Sequence, residues 1–313
     1  MDRIAIAGHR GMLGAALVRG LETAGVVNWR RTGHDRDLRD MGRAAAAFAG
    51  AEVVFLAAGI GGGITKNLRA PAELALGTLR LLTGTLEGAR RAGVSRFIWF
   101  GCACVYPRNG GAPLSPPDLW QGPLEPTSQA FAAAQLAGIE LTRAYYAQHG
   151  LEALCLICPT LYGPGDDFSE DGHFVAGLIR RFHEAKVAHA PAVTLWGTGR
   201  ARRQVMYVDA LAGAAIGVAG AAWFKTGLPV QNVAGDRAMG LAGYAEAVRR
   251  VVGYEGEICW SGEGPEGAPA KELRPDVFIP PFTAVPLDEG LRRTYGWFLV
   301  NAAHLPKGQN LGV

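Results

Sequence analysis

Excess charge of either sign, cysteine and long apolar runs are all scarce in this chain, and each scarcity closes off a class of function. Lys and Arg number 31 against 28 Asp and Glu, a net charge of +3. The basic residues are scattered, and the densest run, Arg200-Ala201-Arg202-Arg203, is too short for a polyanion-binding arm. No nucleic-acid partner is expected. No apolar stretch reaches the roughly 20 residues that span a bilayer, and a strand-like run begins at Arg3 with no signal peptide ahead of it. The expectation is a cytoplasmic protein with no membrane partner. Five cysteines, at 102, 104, 155, 158 and 259, are odd in number and lack paired ligand spacing, so no metal site is expected. Cys155 and Cys158 form a C-x-x-C, but inside an apolar run that reads as a buried strand, where residues three apart face opposite sides. They are expected as small buried hydrophobes.

What remains is a chain that is 49% hydrophobic and 19% charged, enough for one large or two closely packed globular domains. Apolar runs alternate with helical patterns: Ile4 to Ala7 then Met12 to Ala24, Val53 to Ala58 then Pro71 to Ala92, Phe97 to Phe100 then Gln129 to His149, then Ala153 to Cys158. This alternation predicts an α/β fold, a Rossmann-type doubly wound parallel sheet with helices on both faces. Its site should lie at the carboxyl ends of the strands. After Pro164 the pattern loosens into Gly-, Pro- and Asp-rich connections, with helices near Gly240 to Val252 and Leu287 to Asn301. We expect a dinucleotide-binding domain over 1–164 plus about 203–236. A smaller, discontinuous α/β substrate domain is expected over about 165–202 plus 237–313.

Gly8-His9-Arg10-Gly11-Met12-Leu13-Gly14 follows the first strand and opens the first helix. Glycines there permit a tight turn and the close approach of a pyrophosphate to the helix N-terminus. An NAD site would carry an acidic residue at the end of the second strand. Here Trp29-Arg30-Arg31-Thr32 follows Val26 and Val27. An arginine at that point, Arg31, suits a 2′-phosphate, and Arg10 could help to clamp it. NADP is therefore favoured over NAD, the alternative being that Arg30 and Arg31 are solvated charges in a turn.

Pro126-Thr127-Ser128-Gln129-Ala130-Phe131-Ala132-Ala133-Ala134-Gln135 resembles the active-site helix of a short-chain dehydrogenase with its Tyr-x-x-x-Lys pair replaced. Other segments resemble the GDP-L-fucose synthase family, bifunctional epimerase-reductases acting on GDP-4-keto-6-deoxy-mannose. These are Ile6 to Gly14, Cys104-Val105-Tyr106-Pro107, Gly122 to Thr127, Leu161-Tyr162-Gly163-Pro164, Ile179 to Ala185 and Thr294 to Leu299. The similarity runs from about residue 4 to residue 301. It implies an extended short-chain dehydrogenase fold, NADP (NADPH), a GDP-linked keto sugar and a homodimer packed through two helices.

Carried over position by position, the resemblance divides the active site. The family's redox Ser, Tyr and Lys fall on Cys102, Phe131 and Gln135, all changed. Its epimerisation Cys and His fall on Cys104 and His173, both kept. Basic and aromatic family positions near the substrate fall on Arg181, Trp196, Arg203 and Lys271. Inverting a carbon beside a ketone needs a base on one face and an acid on the other. A thiol with a pKa of about 8.5 and an imidazole of about 6.5 can both exchange protons near neutrality. Reduction needs a proton delivered to the carbonyl oxygen, and Phe131 and Gln135 cannot deliver it.

Three readings follow. The chain is an epimerase with its reductase lost or strongly impaired, NADP turning over or serving structure alone. Otherwise it is a non-catalytic NADP- or GDP-sugar-binding paralogue acting as a partner subunit. In the third, it is an epimerase-reductase whose donor has been rewired to Tyr106 or Tyr162. Phe131 could pack on the nicotinamide and Gln135 could bond a ribose hydroxyl.

Overall fold

The computed structural model describes residues 3–33, 37–108, 113–220, 229–276 and 282–301; parts of both expected domains, 221–228 among them, lie outside these. The first half alternates strand and helix: β1 (Ile4–Ala7), α1 (Met12–Thr23), β2 (Trp29–Thr32), α2 (Met41–Phe48), β3 (Val53–Leu56), α3 (Ile64–Arg69), α4 (Pro71–Arg91), β4 (Arg96–Cys102), α5 (Gln129–His149), β5 (Glu152–Cys158) and β6 (Thr160–Tyr162). The second half has shorter strands: α6 (Phe174–Val187), β7 (Ala192–Leu195), β8 (Arg202–Arg203), β9 (Val205–Tyr207), α7 (Val208–Gly220), β10 (Val230–Asn232), β11 (Met239–Gly240), α8 (Leu241–Val252), β12 (Glu257–Trp260), β13 (Ala270–Lys271) and α9 (Leu287–Asn301). None of the described helices is long and apolar enough to cross a membrane.

Six strands form one parallel sheet in the order β10-β5-β4-β3-β1-β2. The order reverses between β1 and β3, so the loops after those two strands diverge and open the crevice in which such sheets bind ligands. Both faces are covered. Leu82, Leu86, Leu136 and Ile139 of α4 and α5 join Phe48 and Phe97 in one core; α1 and α7 pack Leu17, Leu21, Val208 and Leu211 into the other. Residues of β5 alternate between these cores, which puts Cys155 in the first and Cys158 in the second. The C-x-x-C therefore faces two ways, as its strand pattern requires. Burial pushes both thiols up, Cys158 to about 12, so neither is a nucleophile.

A third core gathers Ile179, Phe182, Tyr244, Val248, Leu291 and Phe298 from α6, α8 and α9. Around it lie three short strand groups: β11-β8-β13, β12-β7 and β6-β9.

The second strand is not the aliphatic stretch that precedes the arginines. Val27 is 92% exposed, and the second strand is the arginine-bearing stretch Trp29–Thr32, at the sheet's edge beside β1. An edge strand buries little, so the aliphatic pair Val26-Val27 is no guide to it.

Candidate active site

The glycine loop is built by steric exclusion. Gly8 has φ +88°, and a Cβ there would lie 2.2 Å from the Ala58 nitrogen; one on Gly14 would lie 2.1 Å from the Gly8 oxygen. Gly11 is different: its nearest neighbour would be 3.6 Å away, and it caps α1 with no side-chain bond to the helix. The first-turn N–H groups of α1 therefore face an open mouth, the geometry that receives a phosphate. Met12 and Leu13 turn inward against the second core. Arg10 lies exposed beside the loop.

Arg30 and Arg31 leave β2 on opposite sides and meet different fates. The Arg30 guanidinium donates to the Ala47 and Ala49 carbonyls, closing the C-terminus of α2. Arg31 is exposed, with its guanidinium 5.5 Å from the centre of the Trp29 ring. Of the two, Arg30 is the one committed to α2. Both belong to a strand and neither to a turn.

At the carboxyl end of β4 the chain enters a single 3-10 turn, Ala103–Val105, and Cys102 and Cys104 are joined by a disulfide across it, with Cα atoms 5.3 Å apart. The Cys104 N–H also donates to the Cys102 sulfur at 3.3 Å. The expected thiol of Cys104 is therefore held in a covalent bond in this state. Gln135 is buried in α5, and its Oε1 accepts the Cys102 N–H at 2.9 Å. A lysine has only donors and could not do this. Phe131 lies half-buried one turn earlier on the same helix.

The two tyrosines proposed as replacement donors are elsewhere. Tyr106 is fully buried in the first core, its hydroxyl donating to Asn232 Oδ1 at 2.6 Å, while Asn232 Nδ2 donates to two carbonyls. Tyr162 is buried in the third core against Tyr207 and Gly290. Burial raises both phenols far above their ordinary range. In this packing neither hydroxyl opens onto solvent.

His173 caps α6 without bonding its own helix. Its loop is fastened to the glycine run after β3: the Gly63 N–H donates to the Asp171 carbonyl at 2.7 Å, and Arg69 pairs with the Asp171 carboxylate at 2.5 Å. A Cβ on Gly63 would lie 2.4 Å from the Gly172 oxygen, and one on Gly172 would lie 1.8 Å from the Asp167 oxygen. Burial lowers the His173 pKa; Asp167 works against this and Lys66 adds to it. The imidazole is thereby kept neutral near pH 7, the form that can accept a proton.

The four substrate-side residues form two groups. The Arg181 guanidinium lies 5.4 Å from the centre of the Trp196 ring, and that indole is 48% exposed. Arg203 donates to the Glu266 and Ala268 carbonyls, each at 2.6 Å. Lys271 Nζ donates to the carbonyls of Tyr106 at 2.6 Å and Pro107 at 3.3 Å. Burial lowers its pKa to about 8. Arg203 and Lys271 thus already clasp backbone, and Lys271 ties β13 to the chain leaving the cysteine turn. A cavity of about 380 Å³ between Asn67, Pro71 and the Pro126–Ser128 turn includes none of these residues. Among the described residues no cluster of His, Cys, Asp or Glu could hold a metal ion.

The chain is similar to known proteins along nearly its whole length. Residues 4–222 match the NAD dependent epimerase/dehydratase family. Over 97% of its length the chain is 37% identical to the probable GDP-L-fucose synthase 1 of Oryza sativa subsp. japonica, covering 94% of that protein. The GDP-L-fucose synthase of Escherichia coli (strain K12) is 34% identical, over 96% of this chain and 97% of its own. The chain belongs to the GDP-L-fucose synthase family. Among solved structures, the GDP-mannoheptose C4 reductase from Campylobacter jejuni, with NADP bound, superimposes with a TM-score of 0.83 at 26% identity, covering 95% of this chain and 98% of that one. The UDP-glucose 4-epimerase of Thermotoga maritima, at 19% identity and a TM-score of 0.79, shares the fold.

Within this GDP-L-fucose synthase scaffold, three groups escaped the sequence reading. The Gly61-Gly62-Gly63 run is where the His173 loop docks, and its triple glycine was the available signal. Glu125 is buried beside Arg203 and Lys271: Oε1 accepts from Thr127, and Oε2 accepts no hydrogen bond, with Arg108 3.8 Å away. Asp166 is buried with one oxygen accepting no bond, and burial raises it to about 7. Nothing in local sequence pattern separates these two carboxylates from surface ones.

Proposed function

We propose that this protein is an epimerase of a GDP-linked 4-keto sugar, exchanging protons at C3, C5 or both through Cys104 and His173, with 4-reduction lost or strongly impaired. The observation that carries the reading is the bond from the Cys102 N–H to Gln135. With the Gln135 oxygen engaged by the Cys102 N–H, Phe131 lacking a hydroxyl, and Tyr106 and Tyr162 enclosed in cores, none of these four side chains is suited to protonate a ketone oxygen. An acid–base pair for epimerisation is still present in the chain. In its thiol form Cys104 is one member, and neutral His173 is the other.

The residues fit NADP. Gly8, Gly11 and Gly14 with the uncapped start of α1 would hold the pyrophosphate, and Arg31 and Arg10 would meet a 2′-phosphate. When bound, the cofactor would supply a hydride acceptor or donor, which proton exchange by itself does not use. The exposed Trp196 indole, backed by Arg181, is suited to a guanine ring, and Arg203 to a diphosphate. A homodimer is part of the same proposal, supported by Leu68, Leu76 and Leu79, exposed along α3 and α4.

The test is NMR of GDP-4-keto-6-deoxy-mannose in D₂O with the reduced protein, with and without NADPH. Deuterium should enter at the carbons flanking the carbonyl while NADPH is not consumed. Stoichiometric NADPH oxidation refutes the loss of reduction. Tight binding of NADP or GDP-sugar with no deuterium uptake points instead to a non-catalytic partner subunit.

A further inference from the structure

The Cys102–Cys104 bond sits where the proposed chemistry needs a free thiol. It joins residues only two apart, the last of β4 and the middle of the turn that follows it, so the loop it closes is too short to do much for the architecture. The turn is held independently by the Gln135 bond to the Cys102 N–H and by the Tyr106 N–H bond to the Ala103 carbonyl. Opening the bond therefore leaves the two sulfurs as neighbours. Both cysteines are half-buried at the sheet's carboxyl edge, within reach of small molecules, whereas Cys155 and Cys158 are enclosed.

We propose that Cys102 and Cys104 form a reversible thiol–disulfide exchange site for small-molecule disulfides, and that its closure withdraws Cys104 from epimerisation. The gating half of this rests on the function proposed above. In closing, one cysteine thiolate attacks a sulfur of the small disulfide, forming a mixed disulfide and releasing one thiol. The second cysteine then attacks the protein sulfur of that mixed disulfide and releases the other thiol. Two electrons pass from the cysteine pair to the small disulfide, whose halves leave carrying the two thiol protons. A sulfur bonded to sulfur has neither a proton to give nor a charge to accept one. Cys102, at the position of the family's redox serine, makes this possible, because a serine cannot form the bond.

Glutathione disulfide and reduced glutathione are the probes. The folded full-length protein is equilibrated with each, alkylated with iodoacetamide and read by peptide mass spectrometry. Cys259, exposed and free, has no neighbouring thiol and stops at a glutathione mixed disulfide, which serves as the single-cysteine reference, while Cys155 and Cys158 stay unlabelled. The oxidised protein should lose label at Cys102 and Cys104 together and regain it with reduced glutathione. Deuterium uptake by the 4-keto sugar should fall on closure by at least about 10²-fold, the low end of what an acid–base group contributes. In Cys102→Ser the second attack has no sulfur to make it, so glutathione disulfide should take Cys104 no further than its glutathione mixed disulfide, identified by the mass of the adduct. Persistent label at either cysteine under oxidation overturns the exchange site. Equal uptake in the two states, or a loss of uptake in the parent that tracks a glutathione adduct on Cys104 and not the Cys102–Cys104 bond, overturns the gating. Absence of uptake from the reduced protein overturns the epimerase reading and the gating with it, while the labelling still decides the exchange site.

Discussion

Gln135 offers the sharpest test of how this site was rebuilt. Its Oε1 is the acceptor for the Cys102 N–H, and the residue is only 7% exposed, so water cannot readily replace it. Gln135→Met keeps length and volume but removes the acceptor. A buried N–H left without a partner costs about 1–3 kcal/mol. Gln135→Lys removes the same acceptor and adds an ammonium, so it should cost at least as much. Ala133→Gln, on the exposed face of the same helix, should stay within about 0.5 kcal/mol of the parent. Measured by thermal unfolding under reducing conditions, a loss of about 2 kcal/mol lowers the melting temperature by roughly 3 °C in a chain of this size. If Gln135→Met melts within a degree of the parent, the glutamine is not what holds the tip of β4.

The remaining predictions concern the loop, the base and the platform. Gly14→Ala should cripple folding or NADP binding because its Cβ meets the Gly8 oxygen, whereas Gly11→Ala should leave the melting temperature nearly unchanged and weaken NADP binding in calorimetry. His173→Asn should slow deuterium uptake about 10²- to 10⁴-fold. Burial favours the neutral ring, so its folded pKa lies below 6.5. The base then survives as pH falls through 6.5, and the associated stability is lost only between 6.5 and the lower folded value. An uptake profile whose acid limb lies above pH 6.5 contradicts this. Trp196→Ala should weaken GDP binding by about 1–3 kcal/mol if the indole stacks a base, and unchanged affinity in calorimetry rejects that role.

The strand–helix order and the glycine loop were legible because each is a local pattern with a local cause. The two-faced placement of Cys155 and Cys158 follows from strand period alone. Other features depend on contacts that no window of sequence contains. Gln135 meets Cys102 across 33 residues, and only packing of α5 on β4 decides that its oxygen points there. Tyr106 stands two residues from Cys104, yet its ring turns into the core because Asn232, 126 residues on, offers the partner. The Cys102–Cys104 bond needs the tight turn that follows β4, which the spacing does not announce. In β2, an edge position lets arginines occupy a strand, so hydrophobicity misplaces it.

The fastening of the His173 loop also bears on the order in which the molecule assembles. The glycine loop closes within one strand–helix unit, a short search for the chain. Arg69 and Asp171 are 102 residues apart, so their pairing must wait until α4, β4 and α5 have brought the two segments together. During refolding, NADP affinity should therefore return before proton-exchange competence. A partly folded chain would hold its cofactor while still unable to act on a sugar.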